Sequence, residues 1–138
     1  MKYLELKQKQ QKEINEFPFG FAFSNEQFKE MMEKFGLNEN NTDKIYSIGA
    51  GGYIKKIDAD AMHGMFKRHR QEIENEIEKD KTGTGFIYEM FRYELSNHEY
   101  CITYDLEPTL DALGLTLDKI NENQNLVNGL KKALKDYK

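Results

Sequence analysis

Glu94, Asn97 and His98 stand close together in a segment whose apolar residues recur at helical spacing. At about 100° per residue they fall inside the arc marked by Phe86, Ile87, Met90, Phe91 and Leu95. Arg92, Ser96 and Glu89 mark the polar side. Glu94 and His98 are four residues apart, a spacing that brings side chains together on a helix. A carboxylate beside an imidazole orients the ring, as a general base requires. Cys101 follows closely and would supply a nucleophile if that imidazole activated its thiolate. A helix end and the start of the next element rarely aim side chains at one point. A satisfied hydrogen-bond network that fixes helix packing is therefore the stronger reading of these residues. In either case the charges need partners, because burying an unpaired one is costly.

Other constellations are weaker. Gly49-Ala-Gly-Gly52 invites a phosphate-loop reading, but Ile54 stands where a glycine must precede the lysine, and Lys56 replaces the Ser/Thr. A hairpin turn accounts for it better. His63 and His69 point to different sides of one helix, and His98 with Cys101 leaves a zinc site half made. Asp105, Glu107 and Asp111 are hard-cation ligands by type, yet carboxylates also collect at helix N-termini. His69 reads as a packing residue at the edge of an apolar stripe. No cofactor fingerprint and no complete metal set emerges. Lys55, Lys56, Lys67, Arg68 and Arg70 form the one local basic concentration, which would meet phosphate or an acidic protein.

The elements that must position these groups follow from patterning. Residues 2–16 favour a helix with a thin stripe of Tyr3, Leu4, Leu6 and Ile14, loosely attached to the rest. Aromatics alternate at Phe17, Phe19, Phe21 and Phe23, a strand period, but Pro18 and Gly20 restrict it to an edge strand or an extended core segment. Ser24 and Gln27 make a capping box for a helix closed by Gly36. Lys44–Ile48 and Tyr53–Ile57 read as a hairpin. A helix over Ala59–Asp80 carries Met62, Phe66, Ile73 and Ile77 inside and Glu72, Glu74, Glu76 and Glu78 elsewhere, a charged docking face. Phe86–His98 is the next helix. Tyr100–Tyr104 is rich in β-favouring residues and reads as a third short strand. Helices over Pro108–Leu113, Thr116–Asn121 and Asn125–Tyr137 complete the chain. Glu33–Leu37 and Asp111–Leu115 look alike because each ends a helix in Gly followed by an inward Leu.

Composition bounds the partners. The 138 residues carry nine Phe and eight Tyr, enough large apolar surface for one domain core. Net charge is −4, split as +2 over residues 1–70 and −6 over the remainder, which disfavours nucleic-acid binding by the chain as a whole. No span reaches the roughly 20 apolar residues of a membrane helix. Residues 1–8 lack a secretory core, and Cys101 is the single cysteine, so a reducing cytoplasm fits.

Phe19–Phe28, Thr42–Gly49, Gly85–Phe91, Asn97–Thr103 and Thr109–Thr116 together resemble a family of small uncharacterised proteins carried by Gram-positive bacteria, their phages and other mobile elements. That resemblance implies an accessory protein and transfers no site residue. The expected protein is a single α+β domain, mainly helical, with a small antiparallel sheet including a hairpin near residues 45–57. It is expected to use no cofactor and to act by binding another protein, with homo-oligomerisation open. A small enzyme or ligand-binding domain using Glu94 and His98 is the alternative, and nucleic-acid binding through residues 55–70 is a further one.

Overall fold

A computed structural model describes residues 1–137. In chain order the elements are α1 (Tyr3–Glu16), β1 (Gly20–Phe21), α2 (Asn25–Lys34), β2 (Ile45–Gly49), β3 (Gly52–Lys55), α3 (Ala59–Lys79), α4 (Phe86–Asn97), α5 (Tyr100–Thr103), α6 (Glu107–Leu113), α7 (Leu117–Asn121) and α8 (Gln124–Lys135). Short 3-10 turns precede β2 and α3. The protein is thus a mainly helical α+β molecule with one small antiparallel sheet. Its contacts gather into two compact units, one of Met1–Gln11 with Arg70–Lys138 and one of Lys12–His69.

The first unit is built around α4. Ile87, Met90, Phe91 and Leu95 are wholly buried, and Tyr3 and Leu6 of α1 belong to the same core. The stripe of α1 runs through Tyr3, Leu6 and Gln10, while Leu4 is exposed. Helix α8 lies against α4 at close range, because Gly129 offers no side chain. A Cβ there would come within 2.4 Å of Ile87 and 2.7 Å of the Gly83 carbonyl. Wholly buried Thr109 ties α6 to α4 by donating to the Glu94 carbonyl at 3.3 Å.

Residues 100–104 are not a strand. Tyr100–Thr103 forms one helical turn between left-handed Glu99 (φ 59°) and Tyr104 (φ 55°). The Tyr100 ring meets the rings of Tyr104 and Tyr137 edge-on, at 5.7 and 5.5 Å. The Tyr100–Tyr104 contact requires the four-residue spacing of a helix. Tertiary context has overridden β propensity.

In the second unit the strand order is β1-β3-β2, all antiparallel. Gly49, Ala50 and Gly51 turn the hairpin with φ of 87°, 52° and 76°, and the register slips between Ser47 and Gly49. Lys56 and Ile57 leave the strand for the 3-10 turn that leads into α3. Ser24 caps α2 by accepting from the Gln27 N–H, and the Gln27 side chain accepts in return from Phe23 N. Gly36 (φ 76°) and Gly114 (φ 66°) end α2 and α6 in the same way. Leu37 N donates to the Met32 carbonyl and Leu115 N to the Leu110 carbonyl, the link expected after a left-handed glycine.

The Phe17–Phe23 alternation is genuine, but its inner face is the opposite of the one core packing would need. Gly20 and Ala22 are buried, whereas Phe21 and Phe23 are exposed. Helix α2 sits so near the sheet that a Cβ on Gly20 would fall 2.5 Å from the Phe35 ring. Only small residues fit at these two positions, so the aromatics of this segment occupy the other face. Phe19 meets the Phe66 ring at 6.4 Å, and both Phe21 and the half-exposed Phe66 reach solvent.

Candidate functional site

Glu94 sits on the inner side of α4 with 1% of its surface exposed. One carboxylate oxygen accepts from Lys7 Nζ at 2.6 Å; the other lies 3.5 Å from His98 Nε2. Tyr3 stands beside this carboxylate, and burial followed by the Glu94 charge pushes the Tyr3 pKa upward. Lys7 stands over the Tyr93 and Tyr3 rings, 5.3 and 5.8 Å from their centroids, which screens the ion pair with aromatic faces. The buried charge is therefore compensated on every side available to it, as the cost of burying it demands.

The other residues picked out by the sequence disperse. His98 ends α4 as its C-cap and is half-buried. Asn97 is exposed, not inward as the helical wheel placed it. The helix stops there, and the cover over its last turn lies on Glu94 and Leu95. Cys101 is exposed on α5, and no hydrogen bond joins its thiol to His98 among the described residues. The carboxylate, imidazole and thiol do not converge.

Lys7 and Tyr3 were not legible as partners of Glu94. They lie nearly ninety residues upstream in sequence, and only the burial of Tyr3 and Leu6 places α1 beside α4. A second carboxylate was missed as well. Asp80 is wrapped by the loop that follows it, accepting from the N–H groups of Thr82, Gly83, Gly85 and Ile87 at 2.9 to 3.3 Å. Burial alone would raise the Asp80 pKa, but these donors outweigh it and hold the carboxyl low. The signal was present: an acidic residue ahead of Thr-Gly-Thr-Gly and a helix start is a capping arrangement.

The basic segment is largely engaged. Lys55 lies over the Phe35 ring at 5.9 Å and Lys56 over Tyr46 at 4.9 Å. Arg68 grips Glu13 through both terminal guanidinium nitrogens, which holds the Glu13 carboxyl down at about 2. His69 is buried, 3.5 Å from Glu13 and edge-on to Phe66. Lys67 is exposed. Asp105 accepts from Glu107 N at the start of α6, the helix-end role. Of the acidic residues on α3, Glu76 is tied to Lys79 and the N-terminal amine, and Glu72 to Gln10 and Lys9; Glu74 and Glu78 remain exposed.

Two surfaces stand out among the described residues. In the first unit a cleft of about 670 Å³ has Leu6, Ile73 and Met90 in its walls and Lys7, Arg70 and Lys119 among its cations. Glu94 is not among its lining residues. In the second unit Phe21, Phe23, Tyr46 and Ile48 are 60, 75, 49 and 42% exposed. Phe21 pairs with Gly52, Ile48 leans over Gly52, and the Phe23 ring covers Gly51. The two glycines thus let three large apolar side chains gather at the hairpin end of the sheet.

Fold and site together define a small helical α+β protein with a closed internal ion cluster and an open apolar sheet rim. The chain belongs to a family of unknown function (DUF7659), whose model matches residues 2–136. No curated protein matches the chain, and no solved structure does. No helix among the described residues is long and apolar enough to cross a membrane.

Proposed function

We propose that this protein acts without catalysis, by binding another protein through the apolar rim formed by Phe21, Phe23, Tyr46 and Ile48. The observation that carries this reading is the exposure of four large apolar side chains on and beside one small sheet. Side chains of this kind, when clustered rather than scattered, mark contact sites. The internal pairing of Glu94 points the same way, since a carboxylate closed off by Lys7, Tyr3 and His98 is poorly placed to meet a substrate. The acidic face of α3 is a weaker docking surface than its composition promised, because two of its four glutamates are internally bonded. A cytoplasmic setting, and carriage by Gram-positive bacteria or their phages and mobile elements, belong to the same proposal and rest on the sequence.

The test is a differential capture. Immobilised wild-type protein and a Phe21→Ser/Phe23→Ser variant are exposed to lysate of the native host. The reading expects a protein held by the wild type and released by the variant; identical retained sets would overturn it.

The cleft favours a second reading, a small-ligand site. Its volume lies in the range of small-molecule pockets, and Arg70, Lys119, Glu74 and Asp111 offer both signs of charge over an apolar floor. A fragment screen followed by NMR would move the resonances of Ile73 and Leu113 while leaving Phe21 and Ile48 in place.

A further inference from the structure

Strand β2 is an outer strand of the sheet, and Tyr46, Ser47, Ile48 and Gly49 are all exposed along it. Such an edge presents unpaired N–H and C=O groups, and proteins ordinarily protect it with Lys, Pro or inward charges. The β2 sequence Ile-Tyr-Ser-Ile-Gly contains none of these, and the irregularity between Ser47 and Gly49 is the one edge-blunting feature along it. Its exposed large side chains are one aromatic and one β-branched residue, placed symmetrically about Ser47.

We propose that two copies of this chain pair antiparallel through β2, about a two-fold axis at Ser47. This rests on the protein-binding reading above and names the partner at that surface. The sequence of the strand is self-complementary in that arrangement. Tyr46 of each copy falls opposite Ile48 of the other, an aromatic–β-branched pair of the kind that stabilises sheets. Two such pairs form, as an isologous contact requires. The nearest charged residue along the strand, Lys44, falls opposite Ala50, so no like charges face each other. Lys56, standing over the Tyr46 ring, flanks the contact. The three-stranded sheet becomes a continuous six-stranded one, and the backbone groups at the edge of β2 find partners. The register slip falls within this contact, at Ile48, and sets that side chain over Gly52, which pairs with Phe21. Each copy thereby brings its Phe21 to the margin of the new contact.

Light scattering behind size exclusion, over a dilution series from submillimolar to submicromolar protein, tests this. Wild-type protein is expected at about twice the 16.3 kDa chain mass when concentrated and at the monomer mass when dilute. Ile48→Lys and Tyr46→Lys should each be monomeric where the wild type is dimeric, with far-UV circular dichroism unchanged. Leu117→Lys, an exposed apolar position on α7, should remain dimeric. A covalent probe guards against a variant that fails to fold. Opposed residues in an antiparallel pair have Cα atoms roughly 4.5–5.5 Å apart, within disulfide reach. Ser47→Cys in a Cys101→Ser chain should therefore cross-link to dimers under mild oxidation. A wild type that stays monomeric at the highest concentration overturns self-pairing and leaves the rim to a different protein, which the capture experiment decides separately. A dimer that survives both lysine substitutions, or no cross-link at Ser47, overturns it too.

Discussion

The two units differ in their most conspicuous side chains, one buried carboxylate in the first and four exposed apolar residues in the second. Around α4 the ionisable side chains are inside: Glu94 is buried and met by Lys7, Tyr3 and His98. Around the sheet Ile45, Ile54, Met31 and Met32 are buried, but Phe21, Phe23, Tyr46 and Ile48 face solvent. A residue's chemical type is thus a poor guide to which unit meets a partner. A charge inside an apolar core must be compensated, which closes it to other work. An apolar side chain left in water retains its free energy of burial, roughly 1.5–3 kcal/mol for a large residue, available to whatever covers it.

The comparison predicts a steep gradient of mutational cost. Phe91→Ala, at a wholly buried position on α4, should cost about 3–5 kcal/mol in chemical denaturation. A loss under about 1 kcal/mol would mean that α4 is not the centre of its core. Lys7→Ala leaves the Glu94 carboxylate with fewer partners and should cost on the order of 2 kcal/mol, less than a fully buried pair because Lys7 still reaches water. Adding Glu94→Gln to that variant should restore part of the loss, since the uncompensated charge is removed. A double variant no more stable than Lys7→Ala would show that Lys7 does not compensate the Glu94 charge.

Asp80→Ala should cost about 1–2 kcal/mol, the effect of losing a helix cap with several backbone donors. Because the folded Asp80 pKa is lowered, its contribution is present above the ordinary carboxylate range and fades as pH falls below it. Thermal melts of wild type and variant should converge on acidification. At the sheet rim, Phe21→Ser and Ile48→Lys should change the stability of the monomer by no more than about 0.5 kcal/mol, the usual range for surface positions. A large loss there would erase the contrast between the units. The smallest effect is a titration. In NMR the Glu13 carboxyl should titrate near 2 and return toward its ordinary 4.5 in Arg68→Ala. Its stabilisation is complete above 4.5 and is lost as pH falls through about 2. A Glu13 unmoved by the substitution would show that Arg68 is not its partner.

Much of the fold was legible locally. Ser24 with Gln27, Gly36 and Gly114 marked helix ends, and Gly49–Gly52 marked a hairpin, because capping and left-handed turns are set within a few residues. The contact of Glu94 with His98 followed from their four-residue spacing alone. Asn97 was misplaced because a wheel assumes cover along the whole helix, and α4 ends at that residue. Tyr100–Thr103 was misread because its β-favouring side chains find an aromatic partner in Tyr137, far along the chain.

The sequence by itself therefore determined most of the element types, many of their ends and the pairing of groups one helical turn apart. Tertiary structure alone decided that Lys7 and Tyr3 close off Glu94, and that Phe21 and Phe23 face water. The first depends on a helix packing across most of the chain's length. The second depends on how near α2 approaches Gly20. A period of two fixes which residues share a face of a strand, but only the thickness of the space beyond it fixes which face is inside.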